Sequence, residues 1–216
     1  MTPTEKNDQL AAMSAEVIQA FDALSGLHPG FRPAHAKGIL LSGVFAPAPG
    51  GSSLTRAPHL QRPSTPVTLR FSDFAGLPAL PDNDPNASPR GLAIRFHVGE
   101  EAYSDIVAHS VDGFPARTVE ELVEFLRAAA ASGPGAAKPT PIEAFLASHP
   151  AAMEFVQAPK PFPSSFAKES FFGVNAFKFT NQDGTSRYGR YRIRPDGGSD
   201  YLSEAAAAAK SADYLI

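Results

Sequence analysis

The 216-residue chain contains no cysteine and no tryptophan. Without cysteine there can be no disulfide, no thiolate ligand to a metal or cofactor and no cysteine metal site, and the redox compartment is left undetermined. Charge is also sparse. Lys and Arg number 19 against 22 Asp and Glu, for a net charge of −3, and nothing in that balance points to nucleic acid or another polyanion as partner. No run approaches the ~18 apolar residues of a membrane span, and the polar start MTPTEKNDQL has no apolar core of the signal-peptide kind. A soluble, cytoplasmic protein is expected. Several motifs are missing as well. There is no H-x-H or H-E-x-x-H pair for a metal, no G-x-G-x-x-G or P-loop for phosphate, and no G-x-S-x-G elbow for a serine nucleophile.

Proline (21) and phenylalanine (16) are plentiful. The prolines imply long irregular connections. The phenylalanines suit a core first, and a flat hydrophobic pocket second. Leu10, Met13, Val17, Ile18 and Phe21 lie on one helical face of a first helix over 8–24, ending near Gly26. Residues 38–45 read as a buried strand. Val67, Leu69 and Phe71 alternate with Thr68, Arg70 and Ser72, and 92–98 alternates in the same way; 105–108 is a further short strand. Thr118 and Thr140, each three residues before a glutamate, open helices running to about Ala131 and Ser148. Residues 171–180 and 187–194 form a strand pair around the turn NQDGT, and Ser203 caps a last helix. Strands do not alternate with helices, so the pattern favours an α+β fold: an antiparallel barrel or sheet with helices added.

Few residues stand out as chemistry. His35 sits in a Pro/Gly-rich loop between Arg32 and Lys37, where a lone histidine is most often a satisfied or surface residue. Arg70 and Ser72 share one face of a strand whose other face is apolar. That face is either half-exposed or turned toward a polar or charged ligand, and spacing alone leaves both open. His28, His59, His97 and His149 are most simply solvent-facing.

Read together, six phrases resemble the catalase superfamily, and most closely its small catalase-related haem peroxidases. They are RPAHAKG at 32–38, TLRFSDFAG at 68–76, SPRGLAIRFH at 88–97, SDIVAHSVDGFP at 104–115, FFGVNAFKFTNQDGTSRYGRYRIRPDGG at 171–198 and the closing LSEAAAAAKSADYLI. They occur in family order. The resemblance implies a catalase-like antiparallel β-barrel with an N-terminal helix and arm over 1–30, a haem-binding barrel domain over 31–216, and a helical insert between strand groups. It implies haem b as cofactor. His35 would be the distal acid–base residue, and Ser72 would fix the tautomer and plane of its ring. Arg32 and Arg70 would reach the haem propionates, and Phe114 would pack on the porphyrin.

Two departures from the family pattern carry expectations of their own. His109 stands where true catalases have a distal asparagine, which points away from disproportionation and towards a peroxidase that reduces hydrogen peroxide or small organic peroxides with an organic donor; the alternative is that His109 only fills space. The family's R-x-x-x-Y phrase, with its proximal tyrosine ligand, is not found, so that ligand is expected beyond Ile216 and the barrel domain reads as incomplete at its C-terminal end. Two rival readings stay open. One is a haem enzyme that rearranges lipid hydroperoxides, like allene oxide synthase. The other is a barrel that binds without chemistry. The electron donor, self-association and any nicotinamide nucleotide site are not legible, and no membrane partner is expected.

Overall fold

The computed structural model describes residues 3–216, which divide into two compact units. The first comprises residues 3–37, Phe74–Leu80 and Gly113–Pro159; the second comprises Gly38–Asp73, Pro81–Asp112 and Lys160–Ile216.

The first unit is helical. α1 spans Pro3–Ser25, longer than its periodicity suggests, and Gly26 ends it in the left-handed conformation (φ 81°), its N–H donating to Asp22 O at 2.8 Å. α2 spans Val119–Ala130, with the Thr118 hydroxyl accepting from the Glu121 N–H. α3 spans Pro141–Ser148 behind a full capping box, in which Thr140 and Glu143 satisfy each other's backbone N–H groups. α4, Pro150–Gln157, is absent from the sequence reading. Pro150 looks like a stop, but it occupies the first turn, where its missing N–H costs nothing. α1 and α2 bury Ala20, Val123 and Leu126 together, with Val17 and Phe21 packed beside them.

The second unit is built on antiparallel strands. β1 is Gly38–Phe45, β2 Thr65–Ser72, β3 Gly91–His97 and β4 Tyr103–His109. β5 is Phe162–Pro163, β6 Phe171–Phe172, β7 Phe177–Thr180, β8 Ser186–Gly189, β9 Arg192–Ile193 and β10 Tyr201–Leu202. A short helix α5, Glu204–Ala208, follows, capped by Ser203 as expected. The main sheet has the order β1-β2-β3-β4-β6-β9, with two-stranded ladders β5-β10 and β7-β8 beside it. Among the described residues no ladder joins β9 back to β1, so the antiparallel sheet is open and the barrel implied by the resemblance is not closed.

The expected 171–194 strand pair is divided between two sheets. Its turn forms as read: Asn181 and Thr185 exchange hydrogen bonds across left-handed Gly184. But the chain leaves the ladder at Gly173, whose N–H donates to Tyr191 O at 2.9 Å, so β6 and β9 extend the main sheet while β7 and β8 pair separately.

One face of the main sheet holds the core. Val67, Phe96 and Ile106 form one cluster, and Leu92, Ala108 and Phe171 another. An apolar cavity of about 470 Å³ opens beside the first, lined among others by Phe45 of one edge strand and Tyr191 and Ile193 at the other. His59, expected at the surface, is only 4% exposed; it stacks on Phe96 at 4.3 Å, and burial lowers its pKa. No helix of the described residues is long and apolar enough to cross a membrane.

Candidate active site

The face of the sheet opposite the core is set by register. Ser72 pairs with Gly38 on one side and Gly91 on the other, and Gly91 pairs with His109. Because directly paired residues point the same way, Gly38, Ser72, Gly91 and His109 form one row. The next row on that face is Leu40, Arg70, Ala93 and Val107. The structure thus brings Ser72 and His109 into one row, with Arg70 one row along.

This face is not uniformly polar, as alternation alone suggests. Ser72 is 2% and His109 9% exposed, whereas Leu40, paired with Arg70, and Val107, beyond Ala93 at the other end of the row, are 69% and 71% exposed. The sequence reading places Leu40 in a buried strand and Val107 in a short strand with no assigned face, which hides their outward direction. A guanidinium between two bare aliphatic side chains, beside a buried hydroxyl and imidazole, offers apolar contact and one carboxylate partner at once. The donor set therefore fits a flat apolar acid such as haem.

His109 has a defined tautomer. Its Nδ1 accepts the Val111 N–H at 3.2 Å, so in the neutral ring the proton sits on Nε2. His109 presents an N–H donor, the same kind of group that an asparagine amide presents.

His35, Arg32 and Phe114 belong to the first unit. His35 is the one non-glycine residue with positive φ (56°) among the described residues. Such a conformation costs ~1–3 kcal/mol and persists only where the surroundings hold it. Here the neighbouring segment does so. The His35 N–H donates to Phe74 O at 2.9 Å and the Ala36 N–H to Ala75 O at 3.0 Å, while the ring stands edge-on to Phe74 at 5.5 Å. Lys37 Nζ adds a bond to Leu80 O at 3.1 Å. Gly76 makes the approach possible, because a Cβ there would lie 2.1 Å from Pro33 O. Gly76→Ala should therefore cost ~1–3 kcal/mol in urea unfolding, as overpacking does; an unchanged midpoint would show that the loop does not need this approach. Arg32 is exposed, and Phe114, 39% exposed, lies 6.4 Å ring to ring from Phe155 of α4.

The catalase family model matches residues 28–215 of this chain. The chain belongs to the catalase family. Among curated relatives, a catalase-related peroxidase of Mycolicibacterium paratuberculosis is 32% identical over 203 residues, 93% of this chain and 63% of that protein. Another, from Synechococcus elongatus, is 31% identical over 205 residues, 93% of this chain and 59% of that protein. This catalase-family chain thus spans about 60% of the length of these relatives. A solved bacterial catalase superposes on all of it with a TM-score of 0.72 at 23% identity, covering 41% of that enzyme, which supports the fold.

Sequence reasoning misses two groups in the second unit. Leu40 and Val107 are the first. The second is a buried cluster of Asp73, Asp82 and Arg90, whose members lie apart in loop sequence and show no periodic signal.

Proposed function

We propose that this catalase-family chain carries the distal half of a haem peroxidase site, which reduces hydrogen peroxide or small organic peroxides with an organic electron donor and releases little oxygen. The observation that supports it most is the sheet face just described: an arginine between exposed aliphatic side chains, beside a buried Ser72 and His109. Arg70 and Arg32 would hold the propionates of haem b, and Leu40, Val107 and Phe114 would contact its ring. Haem supplies the redox chemistry of peroxide reduction when bound.

The proton chemistry belongs to this chain. His35 takes the proton from one peroxide oxygen and returns it to the other as that oxygen leaves as water, work typically worth ~10²–10⁴-fold. Ser72 would fix the tautomer of the acid–base imidazole, the role that the family resemblance gives it. His109 donates from Nε2 and does not accept there, so it can hold a peroxide oxygen but cannot take its proton while neutral.

His109→Asn separates this role from space-filling. The variant should raise oxygen release relative to oxidation of a phenolic donor, measured with an oxygen electrode and by absorbance on the same preparation. An unchanged ratio would reduce His109 to a packing residue.

A further inference from the structure

Arg90 is fully buried, with its side chain 0% exposed and that of Asp73 2% exposed. Its guanidinium donates from Nη1 to Asp73 Oδ1 and to Ala87 O (3.2 Å), and from Nη2 to Asp82 O. Its backbone is tied as firmly. The Arg90 N–H donates to Ser110 Oγ at 2.9 Å, and the Ser110 N–H donates to Arg90 O at 2.9 Å. Asp73 follows Ser72, Arg90 precedes Gly91 and Ser110 follows His109. The cluster is therefore the next residue along each strand from the row that carries Ser72 and His109.

Both carboxyls are buried, Asp73 at 1% and Asp82 at 0% exposure, in a cluster whose cation is the one buried guanidinium of Arg90, so charge balance there calls for one proton on the acid pair. Burial, opposed by Arg90 and reinforced by Asp82, raises the Asp73 carboxyl to about 7. Asp82 also grips the end of the chain. Its N–H donates to Ala212 O at 2.7 Å, and the Leu215 N–H donates to its Oδ2 at 2.7 Å. Two further acids face the cluster. Glu169, raised by burial, accepts from the Tyr201 hydroxyl at 2.7 Å. Tyr214, also raised by burial, donates to Pro163 O at 3.0 Å and stays neutral.

We propose that Asp73, Asp82 and Arg90 form a positioning centre, in which one proton shared by the two carboxyls keeps the buried cluster neutral and lets Arg90 lock the ends of β2, β3 and β4, where Ser72, Gly91 and His109 stand in register. Loss of that proton leaves two carboxylates on one guanidinium. The negative charge then exceeds that of the single guanidinium, and the ends of the three strands and the 212–215 segment loosen together. The proposal rests on the functional reading only for what Ser72 and His109 do; the lock itself is independent of it.

The test uses the full chain without haem. The backbone amide resonances of Leu215 and Ser110 should titrate together with a midpoint at about 7. Asp73→Asn keeps the shape and donates permanently to Asp82, so it should abolish that titration; Asp82→Asn should do the same. One pH unit above the midpoint, occupancy of the shared proton has fallen about tenfold, and the Ser110 amide should exchange about tenfold faster in the wild type than in Asp73→Asn at the same pH. A titration that survives Asp73→Asn, equal exchange in the two proteins, or a wild-type Asp73 carboxyl carbon titrating in the ordinary carboxylate range would each overturn the proposal; the last needs no variant. A chain that takes up no haem yet shows the titration would refute the functional reading and leave the lock standing.

Discussion

His35→Ala should slow peroxide consumption by ~10²–10⁴-fold, the range lost when a positioned acid–base group is removed. The loss should fall on turnover and leave haem uptake unchanged, since apolar contact and arginine–carboxylate pairing are assigned to other residues. Stability should change little. The native backbone at His35 sits at φ 56°, and alanine is no better suited to that conformation, but the main-chain bonds from His35 to Phe74 and from Ala36 to Ala75 do not depend on the ring. His35→Gly separates the two effects: it relieves the strain and removes the imidazole together. Stopped-flow peroxide decay with the absorption spectrum recorded in parallel reads both quantities. Rapid turnover in either variant would remove His35 from the chemistry.

The second large effect is on folding. Arg90→Leu should destabilise the chain by ~3–5 kcal/mol, because breaking a buried ion pair leaves its partners buried and unpaired. Asp73 loses its cation, and the carbonyls of Ala87 and Asp82 lose their donor. Pairing Arg90→Leu with Asp73→Leu should recover part of the loss, since an apolar pair needs no counter-charge. Urea unfolding of the two single variants and the double variant gives the coupling directly. Additive losses would show that Asp73 and Arg90 do not act as a unit.

Much of this fold is legible in the sequence, for reasons that differ by element. β2 and β3 show because one face is core and the other is not, so alternation survives in Val67, Leu69 and Phe71 and again in Leu92, Ile94 and Phe96. The helices after Thr118 and Thr140 show because their caps are chemical and local. α4 is hidden by a proline that terminates one helix and starts the next. Leu40 and Val107 mislead for a different reason: hydrophobicity records that a side chain avoids water, and not whether protein or a cofactor will cover it. Their outward direction emerges only from register, where Leu40 and Val107 fall in line with Arg70.

The candidate site divides along the same boundary. His35, Arg70 and Ser72 are visible in sequence through resemblance, and the strand register puts the last two on one face. The tautomer of His109 depends on one backbone N–H two residues away and has no sequence signature. The cluster of Asp73, Asp82 and Arg90 depends on loops that bring distant positions together. Composition could not reveal it, because the chain's charges nearly balance.

The central claim is that the sheet face around Arg70 takes haem, and the most direct measurement is the absorption spectrum of the purified chain titrated with haemin. A saturable Soret band is expected, weakened in Arg70→Leu and retained in His35→Ala. A chain that stays colourless at every haemin concentration, or a band unaffected by Arg70→Leu, would contradict it.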